Sequence, residues 1–271
     1  MGRDGKNCNP TFLPSFRPKA TIRMRKMVVL IPTFNESSTV VQQLKKLENF
    51  RSGNKDEISV LVIDDNSPDG TADIVENLAL PWVKILRRPT KSGIGPAYRA
   101  GFSRVLADTQ YTHIVTMDAD GSHRVEDLPA MFSAITQSKE SKVIVLGTRW
   151  MPGGSIVNWP KTRQLLSKTG TLYAKLALGI NLNDLTGGFR IYSVELLNSL
   201  KLNEMHATGY CFQIEMAMAA DSVDANAVQV PITFIERTVG KSKMSLGIAL
   251  EAFGYVSKLG LARFLKRIYR R

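Results

Sequence analysis

Five short runs rich in Val and Ile, at residues 27–31, 58–63, 83–86, 112–117 and 143–146, recur through the first half of the chain, with helical patterns between them. Val40, Val41, Leu44 and Leu47 share one helical face, and Ile74, Val75 and Leu78 share another. Residues 97–106 and 128–135 complete the set. Val and Ile suit a pleated surface, and runs that are apolar on both sides need cover above and below. The alternation predicts an α/β fold: a mainly parallel sheet flanked by helices on both faces. In such sheets ligands lie beyond the carboxyl ends of the strands, so chemistry is sought in the loops after residues 31, 63 and 117.

The last of these loops, Asp118-Ala119-Asp120-Gly121-Ser122-His123, sets two carboxylates one residue apart where a buried strand ends. Crowded oxygen donors suit a hard divalent cation, Mg2+ or Mn2+, which usually arrives with a phosphorylated substrate. Asp120 is the better metal ligand, Ser122 is a weaker or water-mediated one, and Asp118 lies nearer the phosphorylated ligand. His123, beside Arg124, reads as a surface residue. In the first loop, Pro32-Thr33-Phe34-Asn35-Glu36, Asn35 or Ser37 is a helix cap, and the helix start offers N–H groups to an anion. Glu36 there can accept hydrogen bonds from a ribose or base edge. In the second loop, Asp64-Asp65-Asn66-Ser67-Pro68-Asp69-Gly70-Thr71, adjacent carboxylates point to opposite sides. One braces the backbone while Asp65 faces the pocket, and Thr71 caps the next helix.

The second half of the chain is less regular. A helix is expected at 161–178, a second at 210–220 and a strand at 228–234, followed by a polar loop at 236–243. Arg149 follows the fifth strand, and Arg163, Arg190, Arg237 and Lys243 lie in the half that folds over the same edge. Arginine forks suit phosphate oxygens, and so many cations imply a second phosphate besides a metal-bound one. Gly93-Ile94-Gly95 lacks both the third glycine of a dinucleotide fingerprint and the Gly-Lys-Ser/Thr of a phosphate loop. Gly153-Gly154 and Gly187-Gly188 read as tight turns near a ligand.

The net charge of +12 is concentrated at the ends. Residues 1–26 carry +6 and residues 245–271 carry +5, leaving only +1 on the remaining 218. A nearly neutral body without a basic groove argues against nucleic acid as the partner. With Pro10, Pro14 and Pro18 and no periodicity, residues 1–26 read as a flexible basic arm. Residues 245–271 form an amphipathic basic helix, either docked on the core or lying in a membrane interface. Two cysteines, no leader pattern and no spanning segment suit a cytoplasmic protein.

Taken in order, these loops resemble the inverting family 2 glycosyltransferases with a GT-A (nucleotide-diphospho-sugar transferase) fold. Gly147-Thr148-Arg149-Trp150, Asn158-Trp159-Pro160-Lys161 and Asp184-Leu185-Thr186-Gly187-Gly188-Phe189-Arg190 narrow the likeness. So do Gly209-Tyr210-Cys211-Phe212-Gln213 and Glu236-Arg237-Thr238-Val239-Gly240-Lys241-Ser242-Lys243. Over residues 27–250 the chain is similar to the polyprenol- and dolichol-phosphate mannose synthases. That resemblance implies a catalytic domain over 27–244 that binds GDP-mannose through Pro32, Phe34, Glu36, Ile63, Asp65, Asp118, Ala119 and Asp120. It places Arg237 and Lys243 at the diphosphate, Mg2+ or Mn2+ at Asp120, and a polyprenyl phosphate at Arg149 and Arg163. Asp184 is left as a catalytic or positioning carboxylate, or as a brace for the Gly187-Gly188 turn. The parts would serve UDP-glucose equally, as in a polyprenyl-phosphate glucose synthase. Access to lipid would come from the cytoplasmic membrane surface, through the last helix or a membrane-protein partner.

Overall fold

Every Val/Ile run is a strand in the computed structural model, which describes residues 24–209, 211–237 and 246–269, with side chains of the last helix over 252–265. They are β1 (Lys26–Thr33), β2 (Glu57–Asp64), β3 (Val83–Arg87), β4 (His113–Thr116) and β5 (Val143–Thr148). The intervening helices are α1 (Val40–Ser52), α2 (Thr71–Asn77), α3 (Ile94–Leu106) and α4 (Leu128–Gln137). Beyond them lie β6 (Ser155–Val157), α5 (Lys161–Leu178), β7 (Arg190–Ser193), α6 (Val194–Ser199), α7 (Cys211–Ser222), β8 (Asn226–Pro231), β9 (Thr233–Ile235) and α8 (Leu246–Tyr269).

The large sheet has the order β3-β2-β1-β4-β7-β5-β8, and β6 and β9 form a separate pair. β1 runs parallel to both β2 and β4, with Leu30 opposite Leu61 on one side and Thr116 on the other. Thr33 sits opposite Asp64, so the first two strands end together and their loops leave side by side. Only β7 runs antiparallel, wedged between β4 and β5. The sequence reading missed it because four residues are too few to show a period. The strand expected at 228–234 is two strands in two sheets. Pro231 ends β8, and the chain crosses to β9 after Ile232.

The sheet has a core on each face. Val28, Leu30, Ile63 and Leu146 meet α3, α5 and α7 on one side, while Val29, Ile31, Val62 and Val145 meet α1 and α4 on the other. Alternation along each strand, covered twice, is the packing that the Val/Ile runs require. The last helix is docked. Val256 is buried, Tyr255 Oη donates to Glu215 Oε1 at 2.6 Å, and Tyr173 and Ser257 share a hydrogen bond at 2.7 Å. Gly260 lets α8 touch α5, since a Cβ there would lie 2.7 Å from the Ala177 carbonyl oxygen. No helix among the described residues is long and apolar enough to cross a membrane. Residues 1–23 of the expected basic arm lie outside the described residues.

His113 opens β4 in a largely enclosed position. Burial, with some help from Arg25, lowers its ring from 6.5 to about 4. The unfolded chain therefore takes up a proton that the folded chain refuses, and stability falls as pH drops from 6.5 toward about 4. His113→Gln is expected to flatten that slope, read as the urea midpoint against pH. Parallel curves for the two proteins would remove His113 as its source.

Candidate active site

The first two loops are stitched together by main-chain donors. Asn35 N–H donates to Ser67 Oγ (3.1 Å), Glu36 N–H to Thr71 Oγ1 (3.0 Å) and Ser37 N–H to Asp69 Oδ2 (3.0 Å). This corrects the expected helix cap. Helix α1 starts only at Val40, Thr39 stands at its cap without a side-chain bond, and the N–H groups of Asn35, Glu36 and Ser37 are already taken. Nor does Thr71 cap α2. It is the first helical residue, and Asp69 Oδ1 accepts from both its N–H and its hydroxyl.

Asp64 is the brace of its pair, accepting from Ser67 N–H (2.9 Å), Ser67 Oγ (2.6 Å) and Thr33 Oγ1 (2.9 Å). Asp65 instead meets Arg88 Nη1 at 2.6 Å. Burial raises its carboxyl above the usual range, and the Arg88 charge only partly opposes this. Arg88 follows β3 directly, a strand end outside the three loops to which the sequence points, after residues 31, 63 and 117. Lys91, from the same loop, lies 3.9 Å over the Phe34 ring. Phe34, Asp65, Arg88 and Lys91 thus make one corner beside Glu36. Ile63 does not join them: its side chain is buried in the core against α3, so only its main chain is near the edge. Pro32 is half-buried near the end of β1, and Ala119 is buried.

Beyond β4, Asp118 is partly exposed while the Asp120 side chain is almost enclosed. Asp120 Oδ1 accepts from Ser122 N–H (3.0 Å), and its Oδ2 lies 3.2 Å from Arg237 Nη2. His123 is not a surface residue. It is 2% exposed, stacked on Phe189 at 5.0 Å, and its Nδ1 accepts from Asp118 N–H at 3.0 Å. That bond places the ring proton on Nε2. Gln43, from α1, donates to the His123 carbonyl at 3.4 Å, so the acidic loop is held from beneath.

Arg149 and Asp184 form a buried pair. Nε donates to Asp184 Oδ2 (2.6 Å), and Nη2 donates to Asp184 Oδ1 (2.8 Å) and Thr186 Oγ1 (2.9 Å). The guanidinium lies 5.3 Å from the rings of both Trp159 and Phe234. Asp184 Oδ1 also accepts from Gly187 N–H at 3.0 Å. Burial pushes this carboxyl up, but the charge and hydrogen bonds of Arg149 outweigh it and hold the group below the carboxylate range. With no side-chain exposure, Asp184 is the brace among the roles left open for it. Arg149, expected at a phosphate, is its buried counterpart. Arg190 is likewise buried, donating to the carbonyls of Gly187, Gln213 and Leu185. Arg163 pairs with Glu236 and stacks 3.9 Å over Trp159. Its Nε and the indole N–H groups of Trp150 and Trp159 have no partner among the described residues. In sequence the two tryptophans stand out only as parts of motifs, since nothing local shows that their rings meet. Lys243 lies outside the described residues.

No three His, Cys, Asp or Glu side chains gather into a closed metal cage among the described residues. The acidic loop nevertheless offers oxygens at alternate positions: Asp118, Asp120 and the buried Ser122 Oγ, which has no hydrogen-bond partner among the described residues. An incomplete, all-oxygen set fits Mg2+ or Mn2+, which complete their shells with phosphate oxygens and water.

A mainly parallel sheet with acidic tips at one edge is the architecture of the GT-A glycosyltransferases. Mannosyl-3-phosphoglycerate synthase from Rubrobacter xylanophilus superposes with a TM-score of 0.60 at 18% identity, over 91% of this chain and 76% of that one. Glucosyl-3-phosphoglycerate synthase from Mycobacterium tuberculosis, crystallised with Mn2+ and UDP, gives 0.58 at 20%, over 90% and 80%. Residues 28–201 match the family model for glycosyl transferase family 2. The chain is 41% identical to the undecaprenyl-phosphate mannosyltransferase of Micrococcus luteus over 239 residues, 88% of this chain and 95% of that protein. Against the polyprenol monophosphomannose synthase of Mycolicibacterium smegmatis it is 37% identical over 252 residues, 92% of each. The chain belongs to glycosyl transferase family 2 and is a glycosyltransferase.

Asp184→Ala strands the buried Arg149 guanidinium and is expected to cost about 3–5 kcal/mol. Thermal unfolding should fall by more than about 6 °C, and Asp184→Asn should lose less. A change within about 0.5 kcal/mol would remove the pair as a support of the site.

Proposed function

We propose that this chain transfers mannose from GDP-mannose to the phosphate of a polyprenyl monophosphate, with inversion at the anomeric carbon. The observation that carries the reading is the meeting of three strand tips, β1 leading to Glu36, β2 to Asp65 and β4 to Asp118 and Asp120, with Arg237 set against Asp120. The relatives named as polyprenyl-phosphate mannosyltransferases, similar along most of their length, support mannose and the lipid phosphate. Guanine offers an N–H edge that a carboxylate recognises, and Asp65, with Glu36 and the Phe34–Lys91 corner beside it, supplies that acceptor.

Asp120, with Asp118 and Ser122, would hold Mg2+ or Mn2+. When bound, the cation neutralises charge that develops on the departing diphosphate. Arg237, held against Asp120, acts on the same oxygens as a fixed cation, and the family resemblance gives Lys243 the same role. The acceptor phosphate is anionic near neutral pH and attacks without a general base. His123 accordingly serves the main chain of Asp118 and handles no substrate proton. Arg163, with the indole N–H groups of Trp150 and Trp159 that have no partner among the described residues, receives the lipid phosphate, and Arg149 supports that cluster from behind. The residues therefore align two anions and offset their charge, which is the main demand of such a displacement. The protein would work at the cytoplasmic face of a membrane, where the nucleotide sugar is supplied.

Purified protein with labelled GDP-mannose, divalent metal and polyprenyl phosphate is expected to give a solvent-extractable mannolipid. Asp120→Ala should abolish this while leaving the unfolding midpoint in place; sustained metal-dependent turnover would overturn the assignment. If UDP-glucose outcompetes GDP-mannose, the donor is wrong. Arg163→Ala is expected to raise KM for the lipid phosphate about tenfold, with KM for GDP-mannose near wild type. A rise confined to the donor would place Arg163 at the diphosphate.

A further inference from the structure

Helices α5 and α8 lie against each other, and both leave apolar side chains in solvent. On α5 these are Leu165, Leu172 and Leu176; on α8 they are Phe253, Leu261 and Phe264, with exposures between 54% and 76%. The α5 leucines fall at i, i+7 and i+11, one narrow stripe. On α8, Phe253, Leu261 and Phe264 share a face in the same way. Tyr173 stacks on Phe253 at 4.4 Å, which joins the two stripes into one surface. Leucine and phenylalanine exposed together on paired helices are not an ordinary solvated face.

The charge beside this surface favours one kind of occupant. Lys161, Lys168 and Lys175 recur every seven residues along one flank of the leucine stripe, and exposed Lys258 lies on α8. An apolar strip edged with lysine fits a bilayer whose headgroups are anionic. The strip also begins at the site. Leu165 is two residues beyond Arg163, which stacks on Trp159, and α5 starts at Lys161. A lipid phosphate held at Arg163 would thus have its hydrocarbon tail at the head of the apolar stripe.

We propose that the α5–α8 face is a two-helix platform that docks on an anionic lipid surface and presents the mouth of the site to it. The proposal rests on the lipid-phosphate reading for the role it serves, but its test does not. Intact protein is mixed with vesicles of phosphatidylcholine containing phosphatidylglycerol, with neither nucleotide sugar nor polyprenyl phosphate, and floated on a density gradient. Protein is expected to float with these vesicles, much less with phosphatidylcholine alone, and less at high salt. Leu172→Glu/Leu176→Glu should cut the floated fraction about tenfold. The variant should keep the wild-type unfolding midpoint and its turnover of a short, water-soluble acceptor phosphate. Flotation unchanged by the double substitution would overturn the proposal. So would absence of flotation with a wild-type dimer that the substitutions dissociate, which would assign the face to a second copy. Loss of turnover on every acceptor by the wild type, with flotation intact, would instead strike the transfer reading and leave the platform standing.

Discussion

Negative charge gathered at one edge of a parallel sheet is the constraint from which the rest of this structure follows. Carboxylates buried at a strand tip are costly unless each is given donors or a cation. Buried Asp64 takes a main-chain N–H and two hydroxyls, and exposed Asp69 takes two further N–H groups, which together fix the course of the first two loops. Asp65, Asp120, Asp184 and Glu236 take guanidinium groups from Arg88, Arg237, Arg149 and Arg163. The acidic edge and the arginines of the second half are thus one electrostatic unit. The less regular half folds over the sheet because the sheet edge carries the charge that its arginines must meet.

These pairs differ in what they leave available. Arg149 and Asp184 are sealed under three rings, and their bidentate geometry makes them a support. Arg88, Arg163 and Arg237 stand nearer solvent, each sharing its fork with a single acidic side chain. An anionic substrate oxygen brought to any of them competes with a carboxylate already in place, so less charge has to be rearranged. In the proposed reaction, that is how a site can hold two phosphate groups without strongly binding other anions.

The strands and most helices were legible because periodicity survives in long runs: α5 spans the residues expected of it, 161–178. The four-residue β7 carries no such signal, and the break at Pro231 divides what reads as one apolar run. Loop chemistry was legible by residue type but not by direction. Sequence shows that Asp64 and Asp65 face opposite ways, yet not that Arg88 waits on one side. His123 looked exposed because its neighbours are polar, whereas Phe189 and Phe234, distant in sequence, enclose it. Ile63 was placed at the ligand by resemblance, but strand alternation turns its side chain into the core. Long-range pairing decides these cases, and a linear pattern carries no record of it.

The last helix had two readings, docked or interfacial, and the structure shows why they are compatible. Tyr255 on Glu215, Arg263 on Asp221 and Gly260 against Ala177 fix one side of α8 to the body. A helix held so firmly cannot roll, so the residues on its other side are set once, with Phe253 stacked on Tyr173 of α5. An enzyme acting on a membrane-held phosphate needs this rigidity more than it needs depth. The reacting oxygen lies at the headgroup plane, and an interfacial helix sinks only about 5–10 Å. A platform rigidly joined to Arg163 would hold the site at that height, whereas a loosely tethered helix would give attachment without alignment.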